Sequence, residues 1–379
     1  MNIPVYRLPY SEEDIQFVFE HTRNILESGY LTDGGPYISR LENEWSEFVD
    51  SEYSIAVNSC TTGLQAVLNA ISVESSTVVV PNYTFYASPM SVINEGGNVI
   101  FADIDSKTFS LTLDSIKRKV RKDTKAVMLV HVGGYVSDEI FKIKQWCDDN
   151  SIFLLEDAAC AAGTKIDGVS AGTIGHAGVF SFHHSKVLTS GEGGMICTSD
   201  PDLASRLRKI RAIGLDRSIN NFEVFCRGSN YKMSEITAVL ALLHVNKANS
   251  ILEERRRIAA RYDNEIRFTN GIKKFKPNID YSTSPSYYKY IVMTESSDVK
   301  EKLTRDLMAA GISLPPTVYG YNCNKQNFSS HTNILNASDK FKESVTASKN
   351  HFCLNMYNSL SDEEVSYIIS SVNRAVSLL

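Results

Sequence analysis

The fold is decided by the stretch GVFSFHHSK at residues 178–186, which is followed by SGEGG at residues 190–194. The apolar run that ends at Phe182 is typical of a buried strand, and the glycine-rich turn leads into a second apolar run at 195–198. Lys186 is therefore expected between two buried strands, where an unpartnered charge is costly. Burial should lower the pKa of its amine, so that a neutral amine can attack a carbonyl and form a Schiff base. A lysine at a strand end whose charge reaches solvent is the alternative, and this motif alone leaves both open.

A second segment, IFLLEDAA at residues 152–159, predicts a strand that becomes acidic at its carboxyl end. Ligands of open α/β sheets bind at that end of the strands. A buried Asp157 would keep the ring nitrogen of a pyridine cofactor protonated. The alternative is an acidic residue that caps the helix after the strand.

A third segment joins a strand at 55–57 to a helix, through NSCTTG at residues 58–63. Such a junction offers unpaired N–H groups and the positive end of a helix dipole to a phosphate, although an ordinary N-cap would have the same sequence. Taken together, the three segments supply partners for a phosphate, a pyridine nitrogen and an aldehyde carbon. These are the functional groups of pyridoxal 5′-phosphate (PLP).

The chain at this point resembles the sugar aminotransferase family of PLP enzymes, fold type I, also called the DegT/DnrJ/StrS family. Five motifs occur in the family's order: SGYLTDGGP at 28–36, VPNYTF at 80–85, EDAA at 156–159, SFHHSK with GEGG at 181–194, and GSNYKMSE at 228–235. The resemblance covers nearly the whole chain. It implies an α/β fold with a large domain at 1–250, built on a mostly parallel seven-stranded sheet flanked by helices, and a smaller α+β domain at 251–379.

The resemblance also implies roles for individual residues. Lys186 would form the Schiff base with the cofactor and, once released, move a proton between carbon centres. Asp157 would pair with the pyridine nitrogen. The remaining cofactor contacts would come from the backbone amides of Cys60 and Thr61, the Ser181 hydroxyl, the stacked ring of Phe85 and, from the neighbouring subunit of a homodimer, Asn230.

Three positions depart from the family's pattern. Cys160 stands where many members place Gln or His against the cofactor hydroxyl, and a thiol is a poorer hydrogen-bond partner. Lys232 stands where Arg is frequent, and the two cations bind anions differently. The stretch LPPTVYGY at 314–321 replaces the usual pattern beside the sugar substrate, so the identity of the ketone is open.

Bulk properties restrict the class of protein. The formal net charge of −5 over 379 residues gives no reason to expect nucleic acid or a membrane surface as partner. The N-terminal residues lack the apolar core of a signal peptide, and seven irregularly spaced cysteines fit reduced thiols, so a cytoplasmic protein is expected. His183 and His184 are adjacent on a strand and would point to opposite faces, so we predict no metal. A single long helix is predicted from Ser234 to beyond Arg257.

The function predicted from these features is PLP-dependent transfer of an amino group from an amino acid, by family analogy L-glutamate, to a keto-sugar that is nucleotide-linked. Amination of a cyclitol or another non-nucleotide ketone is an alternative that the 314–321 stretch permits. A PLP-dependent ketosugar dehydratase is a second alternative, against which Lys186 argues, because such relatives carry histidine there. A non-catalytic regulator with this fold is a third, and the pair of Asp157 and Lys186 argues against it.

Overall fold

The computed structural model describes residues 1–8, 10–32, 35–216, 223–277 and 282–379. The helices are α1 (Glu12–Ser28), α2 (Pro36–Val49), α3 (Cys60–Ala70), α4 (Ala87–Asn94), α5 (Leu113–Lys117), α6 (Ile140–Asp149), α7 (Pro201–Arg211), α8 (Glu235–Asn246), α9 (Ala248–Glu265), α10 (Ser297–Ala309), α11 (Lys342–Lys349) and α12 (Asp362–Ser377). The strands are β1 (Tyr53–Val57), β2 (Thr77–Pro81), β3 (Asn98–Ala102), β4 (Thr124–Val130), β5 (Phe153–Asp157), β6 (Lys165–Ile166), β7 (Val169–Ser170), β8 (Ala177–Ser181), β9 (Gly194–Thr198), β10 (Ile272–Lys274), β11 (Thr283–Ser284), β12 (Tyr290–Thr294) and β13 (His351–Leu354).

A seven-stranded sheet forms the centre of the protein, with strand order β1-β9-β8-β5-β4-β2-β3. Strand β9 runs antiparallel to both its neighbours, and the other pairs are parallel. The strands are short apolar runs buried on both faces, as parallel sheets covered by helices require. The mostly parallel seven-stranded sheet predicted from the sequence is thus confirmed.

The direction of the strands places the predicted site residues at one edge of this sheet. Strands β1, β8, β5 and β4 all point the same way, because β9 reverses direction between β1 and β8. Their carboxyl ends therefore lie side by side, and the chain leaves them at Val57, Ser181, Asp157 and Val130. The three segments from which the cofactor site was predicted, 58–63, 156–159 and 181–186, lie at the ends of β1, β5 and β8.

A second sheet, with strand order β10-β12-β13, belongs to the C-terminal part of the chain. The helices α10 and α12 pack on it around a hydrophobic core drawn from residues 258–376. Ile3 joins this core through a backbone bridge to Ile312, so the N-terminal residues lie against the C-terminal part. The larger core is drawn mostly from residues 25–252. The division into 1–250 and 251–379 stays a prediction.

The single long helix predicted from Ser234 is wrong in one respect. Ser234 caps α8 as expected, accepting a hydrogen bond from the amide of Thr237, but α8 ends at Asn246 and α9 begins at Ala248. Lys247 between them has φ −101° and ψ 3°, and its ammonium pairs with Asp14 of α1. The break has no proline or glycine to mark it in the sequence. No helix in the described ranges is both long enough and apolar enough to cross a membrane.

Candidate active site

A cavity of about 490 Å³ opens at the carboxyl edge of the central sheet. Its walls come from the strand ends, from the N-terminus of α3, and from two segments of the C-terminal part, 288–289 and 316–321. Seven of the residues predicted to bind the cofactor line it together: Cys60, Thr61, Phe85, Asp157, Cys160, Ser181 and Lys186. The structure therefore brings together groups that are up to 126 positions apart in the sequence, from position 60 to position 186.

Asp157 is the last residue of β5 and is only 5% exposed. The hydroxyl of Ser88, on α4, donates to its Oδ2 at 2.7 Å, and the amide of Ala159 donates to its Oδ1 at 3.2 Å. The Thr84 and Ser88 hydroxyls are 2.9 Å apart, which continues the chain of hydrogen bonds away from the carboxylate. A buried carboxylate held in one orientation is suited to pair with a cationic ring nitrogen.

The N-terminus of α3 also lines the cavity. Ser59 caps the helix by accepting a hydrogen bond from the amide of Thr62 at 3.1 Å. Within the described ranges, the amides of Cys60 and Thr61 donate to no protein acceptor. These are two of the unpaired donors that every helix start exposes, and together with the Ser181 hydroxyl, which lines the same cavity, they are suited to bind a phosphate.

Gly194 fixes the position of this helix start against the sheet. A Cβ at Gly194 would lie 2.7 Å from the backbone nitrogen of Cys60 and 2.7 Å from the carbonyl carbon of Ser59. Only glycine allows so close an approach between β9 and the first turn of α3. The last glycine of the GEGG motif thus leaves room for the helix start. The sequence alone indicates only that the motif lies in a turn.

Lys186 enters the cavity from the turn between β8 and β9. Its Nζ donates to the sulfur of Cys160 at 3.2 Å and lies 4.6 Å from the ring centre of Tyr288. Burial lowers the pKa of this amine, but Cys160 and Tyr288 together outweigh it, and the pKa lies above the ordinary lysine value. The prediction that burial leaves a neutral amine is therefore wrong when only the protein's own groups act on Lys186. The reason is that the thiol of Cys160 and the phenol of Tyr288 face its nitrogen.

Phe85 also borders the cavity, with 44% of its surface exposed. Its ring packs against Tyr86 at 4.1 Å between centroids and lies 6.4 Å from Tyr319, tilted by 33°. A flat apolar face of this kind suits stacking on an aromatic ring. Stacking on the cofactor stays a prediction.

Asn230 does not line the cavity of its own chain. Its backbone carbonyl accepts a hydrogen bond from the Asn58 side chain at 3.3 Å, and the next residue, Tyr231, accepts one from the Asn58 amide at 2.8 Å. The segment therefore lies beside the start of α3, while the Asn230 side chain is exposed. Asp33 and Gly34 of the first family motif lie outside the described residues.

Sequence reasoning assigned no cofactor contact to several residues that line the cavity, among them His131, Tyr288, Lys289 and Tyr319. Tyr288 and Lys289 immediately precede β12, and no motif in the sequence singles them out. Tyr319 falls in the 314–321 stretch, whose departure from the family pattern was the only signal. His131 directly follows β4, and its place at a strand end could have indicated a site residue.

The groups assembled in this cavity fit PLP. Two unpartnered amides at a helix start suit its phosphate, and a buried carboxylate suits its ring nitrogen. The amine of Lys186 lies in the same cavity and is suited to react with its aldehyde. The fit rests on donor chemistry and on the shared cavity.

Comparison with known proteins agrees with this chemistry. The sequence profile of the DegT/DnrJ/EryC1/StrS aminotransferase family matches residues 12–373. The chain is 28% identical over 374 residues to GDP-perosamine synthase of Escherichia coli O157:H7, which covers 98% of each chain. It is 28% identical over 356 residues to dTDP-4-dehydro-2,3,6-trideoxy-D-glucose 4-aminotransferase of Saccharopolyspora spinosa, which covers 90% of each. The solved structure of the aminotransferase TlmJ from Streptoalloteichus hindustanus matches with a TM-score of 0.88 at 28% identity, over 100% of both chains.

Proposed function

The chain belongs to the DegT/DnrJ/EryC1/StrS aminotransferase family, and we propose that it transfers an amino group from L-glutamate to a nucleotide-linked keto-sugar. It is a PLP-dependent sugar aminotransferase. The observation that carries the proposal is the single cavity in which Lys186, Asp157 and the start of α3 meet. PLP, when bound there, supplies an electron sink that stabilises negative charge at a carbon that loses a proton.

Each group of the chain has a defined task in this reaction. The amides of Cys60 and Thr61 and the Ser181 hydroxyl hold the phosphate, which anchors the cofactor. Asp157, oriented by Ser88, keeps a proton on the ring nitrogen.

Lys186 takes a proton from the α-carbon of the bound amino-acid donor and moves it to a second carbon centre beside its amine. The sulfur of Cys160 and the face of the Tyr288 ring hold its amine within the cavity, so that it reaches a bound substrate without a large movement. The amine must lose a proton before it can accept one. The groups around Lys186 raise its pKa above the ordinary lysine value, so they oppose this loss and influence how readily the amine becomes a base.

The nucleotide-linked acceptor is supported by the relatives, one named for a GDP-linked sugar and the other for a dTDP-linked one. The acidic donor is supported by Lys289. This residue lines the cavity, its Nζ lies 5.4 Å from the ring centre of Tyr288, and within the described ranges it forms no ion pair with an acidic residue. A cavity lysine without an acidic partner attracts a carboxylate.

A homodimer is part of the proposal. The exposed apolar side chains of Ile15, Phe19 and Leu26 project from α1, with 39%, 67% and 62% of their surfaces exposed. Their spacing of four and seven residues puts them on one side of the helix, where a second copy could cover them. The exposed Asn230 would then serve the phosphate in the partner's cavity. We also propose a cytoplasmic location, which the seven unpaired cysteines support.

The test of the catalytic proposal is Lys186→Ala, with Lys144→Ala as the control. Lys144 lies on α6, pairs with Asp148 and does not line the cavity. We expect Lys186→Ala to abolish multiple turnover while the fold and the binding of pyridoxamine phosphate persist, because Asp157 and α3 are untouched. The Lys144→Ala variant should keep wild-type turnover. Turnover of Lys186→Ala within a factor of ten of wild type would place the catalytic lysine elsewhere.

The test of the dimer is a heterodimer of one Lys186→Ala chain and one Asn230→Glu chain. If Asn230 serves the partner's cavity, one of the two sites carries both lesions and the other carries neither, so the heterodimer should recover about half of the wild-type activity. If Asn230 acts within its own chain, each site carries one lesion, and the heterodimer stays as inactive as its two parents.

A further inference from the structure

Cys160 and Lys186 form a pair of reactive side chains in the cavity. The Nζ of Lys186 lies 3.2 Å from the sulfur of Cys160, and both residues line the cavity wall. Cys160 is 7% exposed and Lys186 is half-buried, so a molecule as small as a peroxide can reach the pair through the cavity. An oxidised sulfur of this kind condenses with a nitrogen that lies beside it.

The same contact decides which thiol of the cavity reacts with an oxidant. Peroxides oxidise the thiolate form of cysteine, and a neighbouring ammonium stabilises that form. Cys160 has this neighbour in Lys186. Cys60 also lines the cavity, but burial raises the pKa of its thiol well above the ordinary value, and its sulfur donates to the carbonyl of Val179 at 3.7 Å. The geometry therefore favours oxidation of Cys160 over that of Cys60.

We propose that Cys160 and Lys186 are a redox-sensitive modification site, at which hydrogen peroxide joins the sulfur to Nζ in a sulfenamide. In the first step the thiolate of Cys160 attacks the peroxide, the O–O bond breaks, and a sulfenic acid and a hydroxide form. The hydroxide takes a proton from the ammonium of Lys186 and becomes water, which leaves the amine neutral.

The second step closes the bond between the two side chains. The lone pair of the neutral amine attacks the sulfur, the S–O bond breaks, and the departing hydroxide takes the remaining proton from the nitrogen and leaves as water. In sum the sulfur is oxidised, one peroxide is reduced to two water molecules, and the pair loses two hydrogen atoms. The flexible stem of Lys186 lets Nζ move from its hydrogen-bond distance to within bonding distance of the sulfur.

The cross-link removes the amine on which the reaction depends. Lys186 joined to sulfur cannot react with the aldehyde of PLP or accept a proton, so the protein is inactive until a thiol reductant splits the S–N bond. Bound PLP should protect the pair, because an amine joined to the cofactor cannot attack Cys160. This consequence for PLP rests on the function proposed above, whereas the cross-link itself requires only the two side chains.

The experiment treats the cofactor-free and the PLP-loaded protein with hydrogen peroxide. It measures the mass of the peptides that carry Cys160 and Lys186, and the absorbance change when PLP is added afterwards. In the cofactor-free wild type we expect a linked pair of peptides that has lost two hydrogen atoms. We also expect loss of the absorbance change, which dithiothreitol should restore. The PLP-loaded protein should form no such link.

Three variants identify the partners in the bond. Lys186→Gln should gain oxygen at Cys160 and lose no hydrogen, because no amine is left to attack the sulfenic acid. Cys60→Ala should still form the link, which distinguishes it from a disulfide between Cys60 and Cys160 with the same change in mass. The matched control is Cys226→Ala, since Cys226 is half-buried and does not line the cavity, and this variant should behave as the wild type.

A wild type in which Cys160 and Lys186 remain unlinked after treatment, with or without added oxygen, would overturn the inference. A disulfide between Cys60 and Cys160 would overturn it as well, and so would a bridge that keeps an oxygen atom between the sulfur and Nζ. If the untreated wild type does not react with PLP, the proposed function fails whether or not the link forms, so the two failures are distinguishable.

Discussion

Replacement of Gly194 by alanine tests the phosphate site without changing any group that touches the cofactor. A Cβ at this position would stand 2.7 Å from the nitrogen of Cys60 and 2.9 Å from the carbonyl oxygen of Phe180. The backbone of Gly194 does not have a positive φ, so the effect of alanine is steric and not conformational. Because both neighbours are backbone atoms, no side chain can rotate away.

The size of the effect follows from these distances. Normal contacts are about 3.5 Å, so the first turn of α3 must retreat from β9 by about 0.8 Å. A hydrogen bond of about 2.9 Å from the Cys60 or Thr61 amide to a phosphate would lengthen beyond the limit of such bonds. Loss of one bond to a charged group costs about 1.5–3 kcal/mol, which corresponds to a roughly 10- to 100-fold weaker affinity for PLP. Overpacking should also lower the free energy of unfolding by about 1–3 kcal/mol.

The assay compares PLP with pyridoxal, which lacks the phosphate, by fluorescence titration of Gly194→Ala. The variant should lose affinity for PLP and keep its affinity for pyridoxal. Gly97→Ala is the control, since Gly97 does not line the cavity and a Cβ there is also crowded, 2.9 Å from Cγ1 of Val92. Equal loss of affinity for the two compounds would refute the assignment of the phosphate to α3, and so would a destabilised variant that binds PLP as tightly as the wild type.

Three further outcomes are expected. Asp157→Asn should reduce turnover far more than it weakens PLP binding, because the phosphate supplies most of the anchoring. Turnover and the dissociation constant for PLP are measured on the same variant. Full activity after resaturation with PLP would contradict the role of Asp157. Acidification from pH 6.5 to pH 4 should lower the free energy of unfolding, because burial lowers the pKa of His351 and of His244 to about 4 and the unfolded chain binds their protons first. Urea titrations at each pH measure how the free energy of unfolding changes with pH. This change should be smaller in His351→Gln, and it should be absent above pH 7. Cys160→Ala should lower the pKa of Lys186, since Cys160 is the group that raises it most. The variant should therefore bind PLP faster than the wild type when PLP is added to the cofactor-free protein at pH 8. An unchanged or slower rate in stopped-flow absorbance would contradict the role of the contact between Cys160 and Lys186.

The sequence was sufficient to predict the sheet and most of the predicted residues that meet in the cavity, for reasons that are local. Asp157 and Ser181 end strands whose apolar runs are visible in the sequence, and parallel strands bring their carboxyl ends to one edge. Ser59 is a recognisable helix cap, so the unpaired amides after it could be expected. These inferences need no knowledge of contacts between distant parts of the chain.

Tyr288 and Lys289 could not be predicted because their position depends on how the C-terminal part packs against the central sheet. The backbone amide of Lys289 donates to the carbonyl of Gly133, a contact between residues 156 positions apart. The carbonyl of Gly133 is available there because the glycine adopts a φ of 68° in the turn after β4. Neither a propensity nor a periodicity encodes such a contact.

The pKa of Lys186 shows why burial alone was an insufficient guide to its chemistry. Burial does lower that pKa, as the sequence suggested, but the groups that cause the burial are not inert. One is the sulfur of Cys160, which accepts a hydrogen bond from Nζ of Lys186 at 3.2 Å, and the other is the ring of Tyr288, whose centre lies 4.6 Å from the same atom. The sequence indicates that Lys186 is buried, but not which side chains bury it. The pKa of Lys186 depends on those side chains as well as on the burial itself, because a thiol and a phenol raise it where aliphatic side chains would not.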